Sequence, residues 1–255
     1  MLHQRGYNVI ATVRKIEDSS VLQSLGISTT LLDLDDSHSI QQAMIFSLDH
    51  FEGQIDALFN NAAYGQAGAV EDLSRDTLRQ QFETNLFGTQ ELSNLVIAQM
   101  RKQGNGRIIY NSSVLGLVSM SFRGAYNASK FALEGLVDTL RLELHSSNIH
   151  ISLIEPGPIL SNFRKNSFKK YQQNINRDQS VHKNTYLAME QRLTKKGAAV
   201  PFTLPPEAVV KKLIHALESR RPKIRYYVTF PTYLFAFLKR ILPYRWLDYF
   251  INKIQ

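Results

Sequence analysis

The 255-residue chain contains no cysteine. Disulfide scaffolds, thiolate nucleophiles and cysteine-ligated metals are therefore excluded, and the composition agrees with a reducing compartment. No apolar run reaches the roughly 20 residues a membrane-spanning helix needs. The first residues, Met-Leu-His-Gln-Arg-Gly-Tyr, lack the apolar core of a secretory leader. Internal repeats and low-complexity stretches are absent. What remains is an ordinary globular composition, 44% hydrophobic and 20% charged, suited to one domain or a domain with a small appendage.

Charge is divided unevenly. Residues 1–160 hold 17 acidic and 11 basic side chains, a balance of −6, and residues 161–255 hold 5 and 19, a balance of +14. The basic region suits an anionic partner such as phospholipid headgroups or a phosphorylated carrier, or else a solvated basic surface. No recognition motif accompanies it, so nucleic acid is not expected as a partner.

Short apolar or β-branched runs recur at Asn8–Val13, Thr29–Leu34, Ile55–Phe59, Arg107–Asn111, His150–Ile154 and Ile224–Phe230. Several are apolar almost throughout, as parallel strands covered on both faces must be. Between them lie helical patterns at Ser37–Phe51, Ser74–Arg101, Ala125–Ser146 and Pro206–Arg220. This alternation predicts βαβ units in a doubly wound α/β sheet. Residues 162–204, rich in Lys, Asn and Gln with scattered aromatics, break the rhythm and read as a mobile excursion over the active site.

Ser113, Tyr126 and Lys130 carry the chemistry. Tyr-x-x-x-Lys puts a phenol and an ammonium one turn apart on a helix face. The ammonium is expected to favour the phenolate and draw its pKa toward neutrality. A serine arriving from a strand end, thirteen residues before the tyrosine, can hold a carbonyl or alcohol oxygen against that phenol. Ser112 beside it is equally able to cap the turn.

Together with Asn85, these residues resemble the catalytic tetrad of the short-chain dehydrogenase/reductase family, in order and spacing. The resemblance extends over residues 1 to about 230. Arg5–Arg14 is similar to the family's helix end and second strand, and Leu32-Asp33-Leu34-Asp35 to its adenine-side turn. Asn60-Asn61-Ala62-Ala63 matches Asn-Asn-Ala-Gly with alanine for glycine, and Pro156–Ser161 matches Pro-Gly-x-x-x-Thr with serine for threonine.

The resemblance implies a Rossmann-type fold over residues 1–230 and hydride transfer at a nicotinamide. Tyr126 would be the acid/base and would also contact the cofactor, and Ser113 would polarise the substrate. Lys130 would tune the phenol and bind the nicotinamide ribose, and Asn85 would hold a water leading from Lys130 to solvent. Asp33, Leu34, Asn60 and Ala62 would line the adenosine side, and Pro156, Gly157, Ile159 and Ser161 the nicotinamide. Asn61 would tie neighbouring strands. Arg14 ends the second strand where an acid would hold a ribose hydroxyl, so NADP is favoured over NAD. Family members commonly pair through the helices at Ser74–Arg101 and Ala125–Ser146, so a homo-oligomer is open.

One departure stands out. The family's first strand and glycine-rich turn, which cradle the cofactor pyrophosphate at a helix N-terminus, are missing. The fold is expected to be N-terminally truncated, because the start is an internal methionine or the gene is shortened. The strands at Asn8–Val13 and Ile55–Phe59 should then face each other unpaired.

Residues 231–255 form an aromatic and basic tail that Pro243 must break or kink. It suits a helix lying in a membrane interface, or one packed on the domain or a partner subunit. The expected protein is a cytoplasmic NADP-dependent oxidoreductase, membrane association being open, that acts on the secondary alcohol or ketone of an apolar substrate: a steroid, retinoid, long-chain or acyl compound. The alternative is a truncated, non-catalytic dinucleotide-fold remnant serving as a membrane-associated binding module.

Overall fold

The computed structural model describes residues 1–254, so Gln255 at the end of the tail lies outside it. Six strands and ten α-helices are present among these residues: β1 (Ile10–Val13), α1 (Ser20–Ser24), β2 (Ser28–Leu31), α2 (Ser37–His50), β3 (Ala57–Asn60), α3 (Arg75–Phe82), α4 (Gly88–Gln103), β4 (Gly106–Asn111), α5 (Gly124–Glu143), β5 (Ile149–Glu155), α6 (Phe163–Asn174), α7 (Lys183–Thr194), α8 (Glu207–Glu218), β6 (Arg225–Tyr227), α9 (Phe230–Ile241) and α10 (Tyr244–Ile254). Each expected strand exists, and every ladder is parallel.

The sheet is in two pieces. β1 pairs with β2, and β3-β4-β5-β6 form a separate four-stranded sheet, with no ladder joining β1 to β3. The expected break therefore falls where the sequence placed it. The two pieces are held by helices instead. Leu92 and Leu95 of α4 pack both on the β2–α2 cluster of Leu32, Leu34, Ile40 and Ala43 and on the main core.

β4 and β5 are covered on both faces, which explains their unbroken apolar runs. Ile108, Tyr110, Ile151 and Leu153 face Val96, Met100, Leu133 and Val137 of α4 and α5. Ile109 and Ile154 point the other way, onto Leu213 and Ala216 of α8. The helical pattern at 74–101 is not one helix: a π-turn at Glu83–Phe87 separates α3 from α4. Such turns mark functional sites in helices, and Asn85 sits in this one.

Residues 162–204, expected to be a mobile excursion, instead fold into α6 and α7 with their own core. Tyr171, Tyr186 and Met189 pack on Ala67, Ala69 and Ile175. Tyr186 Oη accepts from the Ala69 amide at 2.8 Å and donates to Asp72. These long-range tethers order a segment whose own sequence has no clear period.

Pro243 separates α9 from α10, as expected. The inward faces of the two helices pack Phe235, Leu247 and Ile251 on Val114, Leu115 and Tyr126. The packed-helix reading of the tail therefore holds for this face. The opposite faces leave Phe230, Tyr233, Phe237, Ile241, Tyr244, Trp246 and Tyr249 exposed. Among the described residues no helix is long and apolar enough to cross a membrane.

Candidate active site

In parallel sheets, ligands bind outside the carboxyl ends of the strands, where strand order switches direction. Arg14 follows β1, Asp33 lies just past β2, Asn60 and Ala62 close β3, Ser113 follows β4 and Pro156-Gly157 follows β5. The strands are parallel within each sheet, so these residues collect at carboxyl ends, and the break between the sheets is the switch point.

Ser113 leaves β4 in extended conformation and opens a 3₁₀ turn, its Oγ accepting from the Leu115 amide at 3.1 Å. The same hydroxyl is hydrogen-bonded to the Tyr126 phenol. Ser113 thus both caps the turn and meets the phenol, whereas the Ser112 hydroxyl is buried without a partner. Tyr126 and Lys130 lie one turn apart on α5, the Lys130 Nζ 5.7 Å from the phenol ring centroid. Lys130 is only 2% exposed yet spends one donor, on the Asn111 carbonyl at 2.8 Å. A buried ammonium has three donors to satisfy. Two are left here for a ligand's hydroxyls.

The phenol is not poised as the sequence suggested. Burial raises the Tyr126 pKa to about 12, and Ser113 and the Arg123 charge offset this only in part. Burial also lowers Lys130 to about 8, against the opposing pull of Glu134 one turn further on. Phe163, at the start of α6, is one of the side chains that cover the phenol, its ring 5.2 Å from the Tyr126 ring, together with Val114, Leu115 and Phe235. A β carbon at Gly65 would come within 2.6 Å of Phe163, so glycine there is what admits the ring. With this cluster packed around the phenol, desolvation outweighs the nearby cation.

Asn85 spends its side chain on protein partners. Its amide donates to the Tyr64 carbonyl at 2.9 Å and to Ser129 Oγ at 3.1 Å, and its oxygen accepts from the Tyr64 amide at 3.1 Å. It pins the loop after β3 onto the π-turn and α5.

Arg14, Asp33 and Ala62 are exposed at the strand ends. Leu34 is a core side chain, so only its backbone is free to contact a ligand. Asn60 donates to Ser93 of α4 at 2.9 Å, which directs its amide inward. Asn61 accepts from the Asn111 amide at 2.8 Å, tying the ends of β3 and β4. The Pro156 carbonyl accepts from the Val114 amide at 2.8 Å, and Gly157 lies against Thr229, where a β carbon would be 2.1 Å from its hydroxyl oxygen. Ile159 bridges to Leu204, and exposed Ser161 accepts from the Phe163 amide at 3.3 Å. The exposed polar strand ends and a lysine with spare donors fit the adenosine and nicotinamide ends of a dinucleotide, while among the described residues no glycine-rich turn cradles its pyrophosphate.

Three further groups surround the site and were not singled out from sequence. Phe163 is the first. The second is a cluster behind Lys130: Arg225 of β6 donates to Glu134, to Glu155 at 2.7 Å and to Asp138 at 2.5 Å. Glu155 is fully buried, and desolvation with the neighbouring Glu134 charge raises it to about 7, against the pull of Arg225. The third is Arg123, which meets only the Met120 sulfur at 3.0 Å; burial and the Arg192 charge lower it to about 10. Its place at the N-cap of the helix that carries Tyr126 was the available signal.

A family model described as short chain dehydrogenase matches residues 1–172. The chain is 40% identical over 247 residues to the uncharacterized oxidoreductase YbbO of Escherichia coli K12, covering 97% of this chain and 86% of that one. It is 31% identical over 234 residues to human retinol dehydrogenase 8, covering 87% and 72%. A short-chain dehydrogenase structure from Streptomyces avermitilis superposes with TM-score 0.74 at 25% identity, covering 94% of this chain and 86% of that one. The fold, the strand-end site and these likenesses define a dehydrogenase of the Rossmann class. The chain belongs to the short-chain dehydrogenase/reductase family, whose members use a nicotinamide dinucleotide.

Proposed function

We propose that the protein is an NADP-dependent oxidoreductase that interconverts a secondary alcohol and a ketone on an apolar substrate. The observation that carries this reading is Ser113, Tyr126 and Lys130 assembled at the carboxyl end of β4, with the lysine's donors largely unspent. The nicotinamide, when bound, supplies or accepts the hydride. Ser113 holds the substrate oxygen. Tyr126 gives its proton to that oxygen in reduction and takes the hydroxyl proton in oxidation. Displacement of Phe163 by substrate would leave Lys130 to bring the phenol back toward working pH. Exposed Arg14 supports NADP, because its guanidinium suits a 2′-phosphate.

The apolar character of the substrate is supported by the aromatic and apolar wall of Phe163, Met120 and Val118 around Tyr126. The names of two relatives, retinol dehydrogenase 8 and 17-beta-hydroxysteroid dehydrogenase type 1, point the same way. The exposed aromatic faces of α9 and α10, with Arg240, Arg245 and Lys253, suit peripheral contact with a membrane surface. Exposed Phe87 and Leu142, beside α4 and on α5, offer apolar surface to a second copy.

Turnover of the protein with NADPH and NADH against a panel of retinoid, steroid and long-chain carbonyls tests the reading. NADPH-dependent reduction that is lost in Tyr126→Phe supports it, and undiminished turnover in that variant refutes it. Failure to bind either cofactor would favour the non-catalytic, membrane-associated module.

A further inference from the structure

Behind Lys130 lies a charge cluster that the reaction leaves unused. Arg225 of β6 is the common partner of three carboxylates: Glu134 and Asp138 of α5 and Glu155 at the end of β5. Glu134 and Glu155 are buried. Even when Glu155 holds its proton, two carboxylates face one guanidinium. Charges taken out of water have to be matched, so a cluster serving stability alone would be balanced. The buried cation beside it is Lys130.

Glu134 follows Lys130 by four residues on α5, so the two side chains rise from one helix face with β carbons about 5–6 Å apart. Their ends reach the same stretch of chain. Lys130 Nζ donates to the Asn111 carbonyl at 2.8 Å. The Glu134 carboxylate lies against Gly116, where a β carbon would stand 3.1 Å from its Oε1 and 2.9 Å from the Ser112 hydroxyl oxygen. Residues 111–116 are the segment that carries Ser113, so Glu134 stands behind that turn and one helical turn beyond the lysine. Its orientation is fixed by Arg225 Nη1, which donates to Glu134 Oε2 and, at 2.7 Å, to Glu155. Glu134 Oε1 is buried and makes no hydrogen bond among the described residues. Its influence on Lys130 is therefore that of a charge, and it leaves the ammonium's spare donors to a ligand.

The ionisable groups around Glu134 are Lys130 and Asp138 on its own helix, Glu155 of β5, Arg225 and Tyr227 of β6, and Lys239 of α9. Burial lowers Lys130 to about 8, and Glu134 opposes that fall.

We propose that Glu134 is a positioning residue of the reaction: locked by Arg225 behind the Ser113 turn, its carboxylate is the counter-charge that keeps buried Lys130 an ammonium beside Tyr126. It acts through the lysine and touches neither substrate nor cofactor. This deepens the reading above and rests on it for the reaction, whereas the charge of Lys130 can be followed without turnover.

NMR titration of the lysine Cε signals of the full chain tests it, the Lys130 signal being identified by its loss in K130R. In the parent, Lys130 should hold its proton past about pH 7. E134Q keeps the shape and removes the charge, and it should lower the midpoint by about one pH unit, a tenfold change in proton affinity. D138N removes a charge from the same arginine at about 12 Å along the helix from Lys130, and should shift the midpoint less than half as far. In NADPH-dependent reduction, the fall of kcat/KM at high pH should move down with the midpoint in E134Q, because Tyr126 gives up its proton most readily beside the ammonium. A parent midpoint at or below about 7, a shift in E134Q no larger than that in D138N, or a high-pH fall that stays in place in E134Q overturns the proposal. If E134Q does not fold, the parent and E134D decide. A parent midpoint above about 7 that E134D keeps supports the proposal, and a drop of more than about half a unit in E134D, which retains the charge, overturns it. Turnover indifferent to Tyr126→Phe would defeat the oxidoreductase reading and leave the coupling of Glu134 to Lys130 standing.

Discussion

The sheets β1–β2 and β3–β6 are each parallel within themselves, yet their central strands end in different states. Most residues of β4 and β5 are buried, whereas no residue of β1 or β2 is. Composition is not the reason, since Ile10, Val13 and Leu31 are good strand formers. β4 and β5 have a strand on either side and helices on both faces, while β1 has no hydrogen-bonded neighbour toward β3. The catalytic groups hang from the buried sheet: Ser113 follows β4, and Lys130 is tied to the last residue of β4. Arg14, read as favouring NADP, and Asp33, read as lining the adenosine side, ride on the open pair. Proton chemistry and most of the expected cofactor contacts thus belong to the sheet with the buried strands, whereas the expected 2′-phosphate contact belongs to a pair with no buried strand residue; such sparsely packed elements open at lower free energy.

Experiments can break or sharpen this contrast. The largest effect is expected at the buried block's end: Tyr126→Phe should lower kcat about 10²–10⁴-fold in steady-state assays, with cofactor affinity retained. Next, Ile109→Ala or Ile154→Ala should cost about 2–5 kcal/mol in urea unfolding. Thr12→Ala in β1 should stay within about 0.5 kcal/mol. Equal losses in the two sheets would erase the distinction.

Glu155, at the end of β5, should leave a pH signature. Its folded pKa lies near 7, above the ordinary carboxyl value of 4.5, so the folded state holds a proton the unfolded state has released. Stability should therefore fall as pH rises from about 4.5 to 7 and level off above that. Glu155→Gln should flatten that slope, and an unchanged slope in chemical denaturation at several pH values would show that another group carries it. The smallest effect is expected on the open pair. Arg14→Ala should weaken NADPH about tenfold by loss of one charge-assisted contact. NADH binding and melting temperature should be untouched.

Much of the frame was legible. Near-continuous apolar runs gave the parallel strands because two-sided coverage leaves no solvent face to encode. Pro243 ended α9 because a ring nitrogen cannot donate. The spacing from Ser113 to Lys130 survived into contact because it depends only on a strand end and one helical turn. α6 and α7 were not legible. Their buried tyrosines answer to partners such as Ala69, which lies 117 residues from Tyr186, and no local period records such a partner. Asn85 was legible as a tetrad member but not in its place in a π-turn or its bonds to Tyr64 and Ser129.

The sequence by itself determined which atoms could take part: a phenol, an ammonium and a hydroxyl brought to one strand end by backbone periodicity, and two sheet pieces whose shared edge lacks a ladder. Only the tertiary structure decided their acidities. The packing of Phe163, Phe235 and Leu247 around the phenol and the crowding of Glu134 and Glu155 around Arg225 depend on distances between residues far apart in the chain. Electrostatic energy follows those distances and the exclusion of water, neither of which is written in the order of residues.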